Sequence, residues 1–223
     1  MNIAKSVYLF IKLLMQISLF AGLGIALYKF ELQSVVIIGL IIIVTLLPLR
    51  LGTRFSLYIP LEIEVLTIAL IYGSLYLGEF GSYYEKFWWW DILLHSGSGV
   101  LFSSFGFLLI WILNEDPKVH LALSPLFMSL FVFSFSVVTA TIWEIFEFFM
   151  DELFGLNMQK SGLVDTMWDL VVASVGGFVV AIYAYFYTKF GFKSFVSSWF
   201  EHFIDSNPVY FDKHSGDNRN KRE

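Results

Sequence analysis

The stretch WWWDILLHSGSGVLFSSFGFLLIWIL, residues 88–113, decides the fold class. Three tryptophans open it, an aspartate and a histidine follow four residues apart, and the remainder is small or apolar. A run of this kind crosses the ~30 Å hydrocarbon core of a bilayer as one helix, because about 20 residues suffice. Trp88, Trp89 and Trp90 read as an aromatic belt at the interface. Comparable apolar stretches lie at Val7 to Tyr28, Val35 to Leu49, Leu61 to Leu77, Leu121 to Met150 and Leu163 to Thr188, with Asp91 to Leu113 as the fourth of the six. Lipid-exposed strands would leave backbone groups unpaired, and the alternation of a barrel is missing, so these stretches are predicted helices. The chain is therefore expected to be all-α: a polytopic membrane bundle of about six transmembrane helices over residues 1–190.

Composition agrees. Of 223 residues, 57% are hydrophobic and only 15% charged, and the mean hydropathy is +0.72, more apolar than one water-soluble core can hide. Six spans with short loops leave little chain for a separate soluble domain. There is no cysteine, which removes disulfides, thiolate metal sites and cysteine nucleophiles. No Gly-rich phosphate loop or nucleic-acid signature occurs, so neither an organic cofactor nor nucleic acid is expected. The first stretch follows Lys5 and contains Lys12, but its apolar run is long and no small-residue cleavage site follows, so it reads as a retained helix and not a signal peptide.

Charge sets the expected orientation. With the amino terminus inside, Lys5, Lys12, Arg50, Arg54, Lys118, Lys189, Lys193, Lys213, Arg219, Lys221 and Arg222 fall on the inner side, 11 of the 14 Lys and Arg residues. Lys29, Lys86 and Lys160 fall outside. The positive-inside bias thus predicts a multi-pass protein of the cell membrane with both termini cytoplasmic. After the sixth span, Phe192, Phe195, Val196, Trp199, Phe200, Phe203 and Ile204 recur at helical spacing among polar residues, which predicts an interfacial amphipathic helix over 191–206. Residues 207–223 are polar and charge-rich, the composition of a disordered tail.

The chemistry-bearing residues gather at span ends. Asp91 and His95 are four apart and share one helix face, continued by Gly99 and Ser103. The fifth span carries Ser129, Ser136 and Ala140 and ends in Glu144, Glu147 and Asp151; the sixth begins with Asp165 and Asp169 and continues through Ala173, Gly176 and Gly177. Small residues along these faces predict helix–helix packing. The start of the fourth span, the end of the fifth and the start of the sixth lie on one side, so all seven titratable groups are expected near the extracytoplasmic face.

An ionised side chain at the centre of a membrane helix costs ~2.5 to 3.5 kcal/mol on insertion scales. Either some carboxyl groups stay protonated or a divalent cation lets them stay ionised. Oxygen donors with one imidazole suit Mg, Mn or Ca, and also Zn. Asp91, Asp151 and Asp165 have an alternative as helix-end caps; the deeper groups have one as a structural hydrogen-bond network. Glu62 and Glu64, at the opposite end, are expected to pair with Arg50 and Arg54.

The ordered motifs Asp91-x3-His95-x3-Gly99, Trp143-Glu144-x2-Glu147-x3-Asp151, Gln159, and Asp165-Thr166-x2-Asp169-Leu170 with Gly176 and Gly177 resemble the uncharacterised YjdF-type family of prokaryotic membrane proteins over roughly residues 60 to 190. More loosely the order looks like the VanZ-like group. Neither resemblance implies an established reaction. The site chemistry leads to a metal site that binds or processes a lipid or lipid-linked headgroup. In it His95, Glu144, Glu147 and Asp169 ligate the ion, Asp91 supports them by orienting His95, and Asp165 or Asp151 acts as base. The alternatives are a transporter or proton-coupled carrier, in which the carboxylates titrate without hydrolysis and the chain works as a homo-oligomer, and a non-catalytic membrane scaffold whose polar network fixes helix packing.

Overall fold

The computed structural model describes residues 3–55, 61–115, 122–155, 157–192, 203, 206 and 207. Among these, all regular structure is helical: α1 (Ile3–Tyr28), α2 (Leu32–Phe55), α3 (Leu61–Ile71), a wider-wound π-helical segment (Tyr72–Phe80), α4 (Tyr83–Lys86), α5 (Trp90–Glu115), α6 (Pro125–Phe154) and α7 (Leu163–Phe190). The protein is a helical membrane bundle. Five helical stretches are long and apolar enough to cross a bilayer: Ser6–Tyr28, Ile63–Phe80, Trp90–Asn114, Pro125–Phe154 and Leu163–Phe190. The remaining expected span, 35–49, corresponds to α2, whose apolar run Ser34–Leu46 is shorter. The predicted amphipathic helix at 191–206 and the tail at 207–223 lie almost wholly outside the described residues.

Helix ends follow local chemistry. The fifth span was expected from Leu121, yet α6 starts at Pro125, because Ser124 accepts a hydrogen bond from the Phe127 amide and proline takes the first helical position. It runs four residues past Met150 to Phe154, where Gly155, at φ 65°, supplies the left-handed turn that closes the helix.

The chain divides into two compact units, residues 1–76 with 193–223, and residues 77–192. In the first, α1, α2 and α3 pack on one another around Leu19, Ala26, Ile38, Ile41 and Ile42, with Tyr72, Leu75 and Tyr76 against them. Three pairs of polar side chains meet inside this unit. Gln16 donates to Thr45 Oγ1 at 3.1 Å, the Ser18 and Tyr72 hydroxyls lie 2.7 Å apart, and Lys12 pairs with Glu64. Glu64 thus takes a counter-charge from α1, which lies directly against α3. The side chains of Arg50, Arg54 and Glu62 lie outside the described set.

In the second unit α5, α6 and α7 each pack on the other two, and the small residues explain how closely. A Cβ on Gly99 would run into the Ala173 carbonyl, one on Gly176 into the Ser96 carbonyl, and one on Gly177 into the Ser136 side chain. Hydroxyls tie the seams: Ser136 donates to the Gly99 carbonyl at 3.1 Å and Ser129 to the Ala181 carbonyl at 2.7 Å. Outward positions are apolar and open, as at Val175, 60% exposed, the pattern of a surface facing lipid.

Two outcomes follow. Gly99→Val forces the α5–α7 backbones apart and lowers stability by about 1 to 3 kcal/mol or prevents folding, whereas Gly24→Ala, whose Cβ meets nothing within 4 Å, stays within about 0.5 kcal/mol of wild type. Thermal unfolding in detergent micelles compares them. Glu64→Leu alone leaves Lys12 without its counter-charge and costs about 3 kcal/mol or more, while the double change Lys12→Met with Glu64→Leu recovers most of that loss in the same assay.

Candidate functional site

At one end of the second unit the start of α5, the end of α6 and the start of α7 come together on His95. Its position on α5, one turn after Asp91, puts both side chains on the face that packs against α7. His95 Nε2 lies 3.4 Å from Asp91 Oδ1 and 3.8 Å from Asp169 Oδ2. The other ring nitrogen, Nδ1, lies 3.9 Å from Glu144 Oε1. One ligand atom each from Asp91, His95 and Asp169 falls within 4.8 Å of the other two, close enough for the three to hold one ion. Asp91 and His95 are partly buried and Asp169 is buried.

Glu144 is 4% exposed; among the described residues neither of its carboxylate oxygens has a close hydrogen-bond partner, with the Thr166 side chain as a looser hydrogen-bonding neighbour. Buried polar atoms are nearly always satisfied, so this carboxyl group beside an imidazole is the least well compensated acid of the cluster. Glu147, one turn on, is buried and accepts a hydrogen bond from Trp143 Nε1 at 2.9 Å. The geometry therefore divides the expected ligands. Asp91, His95 and Asp169 stand together, Glu144 faces the opposite nitrogen, and one Glu147 oxygen is engaged by an indole.

Asp151 has a different task. Its two oxygens accept the backbone amides of Met158 at 2.7 Å and Gln159 at 2.8 Å, which fastens the α6–α7 loop to the end of α6. Gln159 adds a second tie, donating to Thr166 Oγ1 at 2.7 Å. Asp165, on the first turn of α7, is partly buried and within electrostatic reach of Asp91, His95 and Lys160.

Lys160 and Tyr84 were not among the expected site residues. The Lys160 ammonium lies 3.7 Å from Asp91 Oδ2 and 3.5 Å from the centre of the Tyr84 ring. Sequence offered one signal for it, a lysine following Gln159 in the loop between two acid-bearing helix ends. Five carboxyl groups, Asp91, Glu144, Glu147, Asp165 and Asp169, thus share this end with His95 and Lys160.

A family model described as "Predicted membrane protein (DUF2238)" matches residues 11–190, a segment that contains every one of these groups. The chain belongs to this family. DUF2238 is the YjdF family whose motif order the sequence resembles; membership of the VanZ-like group is not shown. A DUF2238 chain of this kind is also similar to an uncharacterised protein of Thermotoga maritima, 29% identical over 133 residues. That alignment takes in 57% of this chain and 64% of the relative's length. No solved structure matches.

Asp151→Ala removes the acceptor for two loop amides. The expected result is faster hydrogen exchange at Met158 and Gln159 and a stability loss of about 1 to 3 kcal/mol. Unchanged exchange at both amides would contradict the anchoring role.

Proposed function

We propose that this DUF2238 protein holds a divalent cation between Asp91, His95 and Asp169 and uses it to bind a lipid or lipid-linked headgroup. The observation that carries the reading is the convergence of these three ligand atoms within 4.8 Å, seconded by the buried Glu144 carboxyl group, without a close hydrogen-bond partner among the described residues, on the far side of the same imidazole. Two carboxylates and one imidazole suit Mn or Zn best, with Mg and Ca the choices if His95 stays outside the coordination shell.

In this reading the chain's own residues divide the work. His95 presents Nε2 to the ion and directs its Nδ1–H toward Glu144. An acid on the second ring nitrogen holds a ligating histidine in one tautomer and makes it a better donor. Asp91 and Asp169 balance the two positive charges. Three protein ligands leave positions for water or an oxygen of a bound headgroup, and Asp165, in electrostatic reach of Asp91 and His95, is the carboxylate left to accept a proton. Depth supports a headgroup as occupant: Asp91 follows Trp88, Trp89 and Trp90 directly, and Trp88 is 82% exposed, the position of interfacial tryptophans. The lysine and arginine bias supports the extracytoplasmic side for this end.

Metal analysis and Mn²⁺ titration of the purified protein, followed by electron paramagnetic resonance, test the reading. Wild type is expected to bind one ion per chain. His95→Ala and Asp169→Asn abolish binding, and Glu144→Gln weakens it by about 10- to 100-fold. If wild type holds no divalent ion, the polar cluster is a packing network.

A further inference from the structure

Lys160 plays no part in holding the cation, yet its place is built with care. The loop that carries it is fastened by Asp151 through the Met158 and Gln159 amides and by Gln159 through Thr166. Its ammonium sits over the Tyr84 ring, 3.5 Å from the ring centre, and 3.7 Å from Asp91 Oδ2. The side chain is 32% exposed, so the charge stands between the buried acids and the outside.

Lysine here has two physical effects. Without a cation it answers the carboxylate of Asp91, and Asp165 and Glu79 also lie within its electrostatic reach. When a cation occupies Asp91, His95 and Asp169, the Asp91 charge is shared with the metal and its hold on the ammonium weakens. The Tyr84 face keeps the ammonium in place meanwhile, by cation–π attraction. The site then offers two positive centres on either side of Asp91, one hard cation and one ammonium with three donors, an arrangement that matches the spread oxygens of a phosphate.

We infer that Lys160 is the anion-receiving residue of this site: a phosphate monoester bridges the bound cation and the Lys160 ammonium, so that cation and phosphate bind cooperatively. This rests on the cation reading above and names the class of ligand. A lipid phosphomonoester such as phosphatidic acid and a soluble phosphate monoester present the same chemistry, and the test separates them.

The full-length protein is placed in phosphatidylcholine nanodiscs and its Mn²⁺ affinity is measured alone, with soluble glycerol phosphate, and in nanodiscs that also contain phosphatidic acid. In wild type one of the two phosphate sources tightens Mn²⁺ binding by about tenfold, within the usual span of coupling between sites. Tightening by phosphatidic acid alone assigns the site to a lipid headgroup, and tightening by glycerol phosphate alone assigns it to a soluble ester. Lys160→Gln binds Mn²⁺ no more weakly than wild type but loses the tightening, and Lys160→Arg retains it, which also shows that the position tolerates substitution. The inference is overturned if wild type binds Mn²⁺ and neither phosphate tightens it, or if Lys160→Gln keeps the full effect. Absence of Mn²⁺ binding in wild type overturns the cation reading itself and this inference with it.

Discussion

The close approach of α5 to α7 is the constraint on which the site depends. Backbone meets backbone at Gly99 and Ala173 and again at Gly176 and Ser96, with no room for a Cβ on either glycine. Inside a bilayer the hydrophobic effect does little to hold helices together, because lipid tails are as apolar as leucine; association relies on packing and on hydrogen bonds between helices. Glycine and serine supply both here. The Ser136 hydroxyl reaches the Gly99 carbonyl across the seam, which holds α6 against the same contact.

That approach sets the distances at the polar end. His95 is one turn above Gly99 on α5, and Asp169 is one turn above Ala173 on α7. When Gly99 and Ala173 touch, these two side chains are brought to 3.8 Å. Glu144 arrives from α6, two turns beyond Ser136, on the other side of the imidazole. The small-residue stripe and the acidic cluster are therefore one device: the first fixes the helix spacing, and the second occupies the space that this spacing defines.

The two units handle buried charge differently. In the first, Lys12 and Glu64 answer one another, and a matched pair inside apolar surroundings asks for nothing further. In the second, the carboxyl groups of Asp91, Glu144 and Asp169 surround one imidazole, one ammonium stands beside Asp91, and Glu144 has no close hydrogen-bond partner among the described residues. Charge imbalance in a low-dielectric setting is costly, which sets this end of the bundle apart from the matched pair of the first unit.

Sequence alone determined the helices and much of the cluster's membership. Length and apolarity dictate spans, because a backbone in hydrocarbon must bond to itself, and i, i+4 spacing puts Asp91 with His95 and Asp165 with Asp169 on single faces whatever the rest of the chain does. Periodicity within a helix says nothing, however, about the rotation of one helix against the next or the path of a loop. Only the tertiary structure decided that His95 turns Nε2 to Asp91 and Asp169 and Nδ1 to Glu144, that Asp151 is consumed by loop amides, that Lys12 answers Glu64, and that Lys160 lies over Tyr84 beside Asp91. Each is a contact between segments far apart in the chain, and steric fit between helices, not local spacing, selects it.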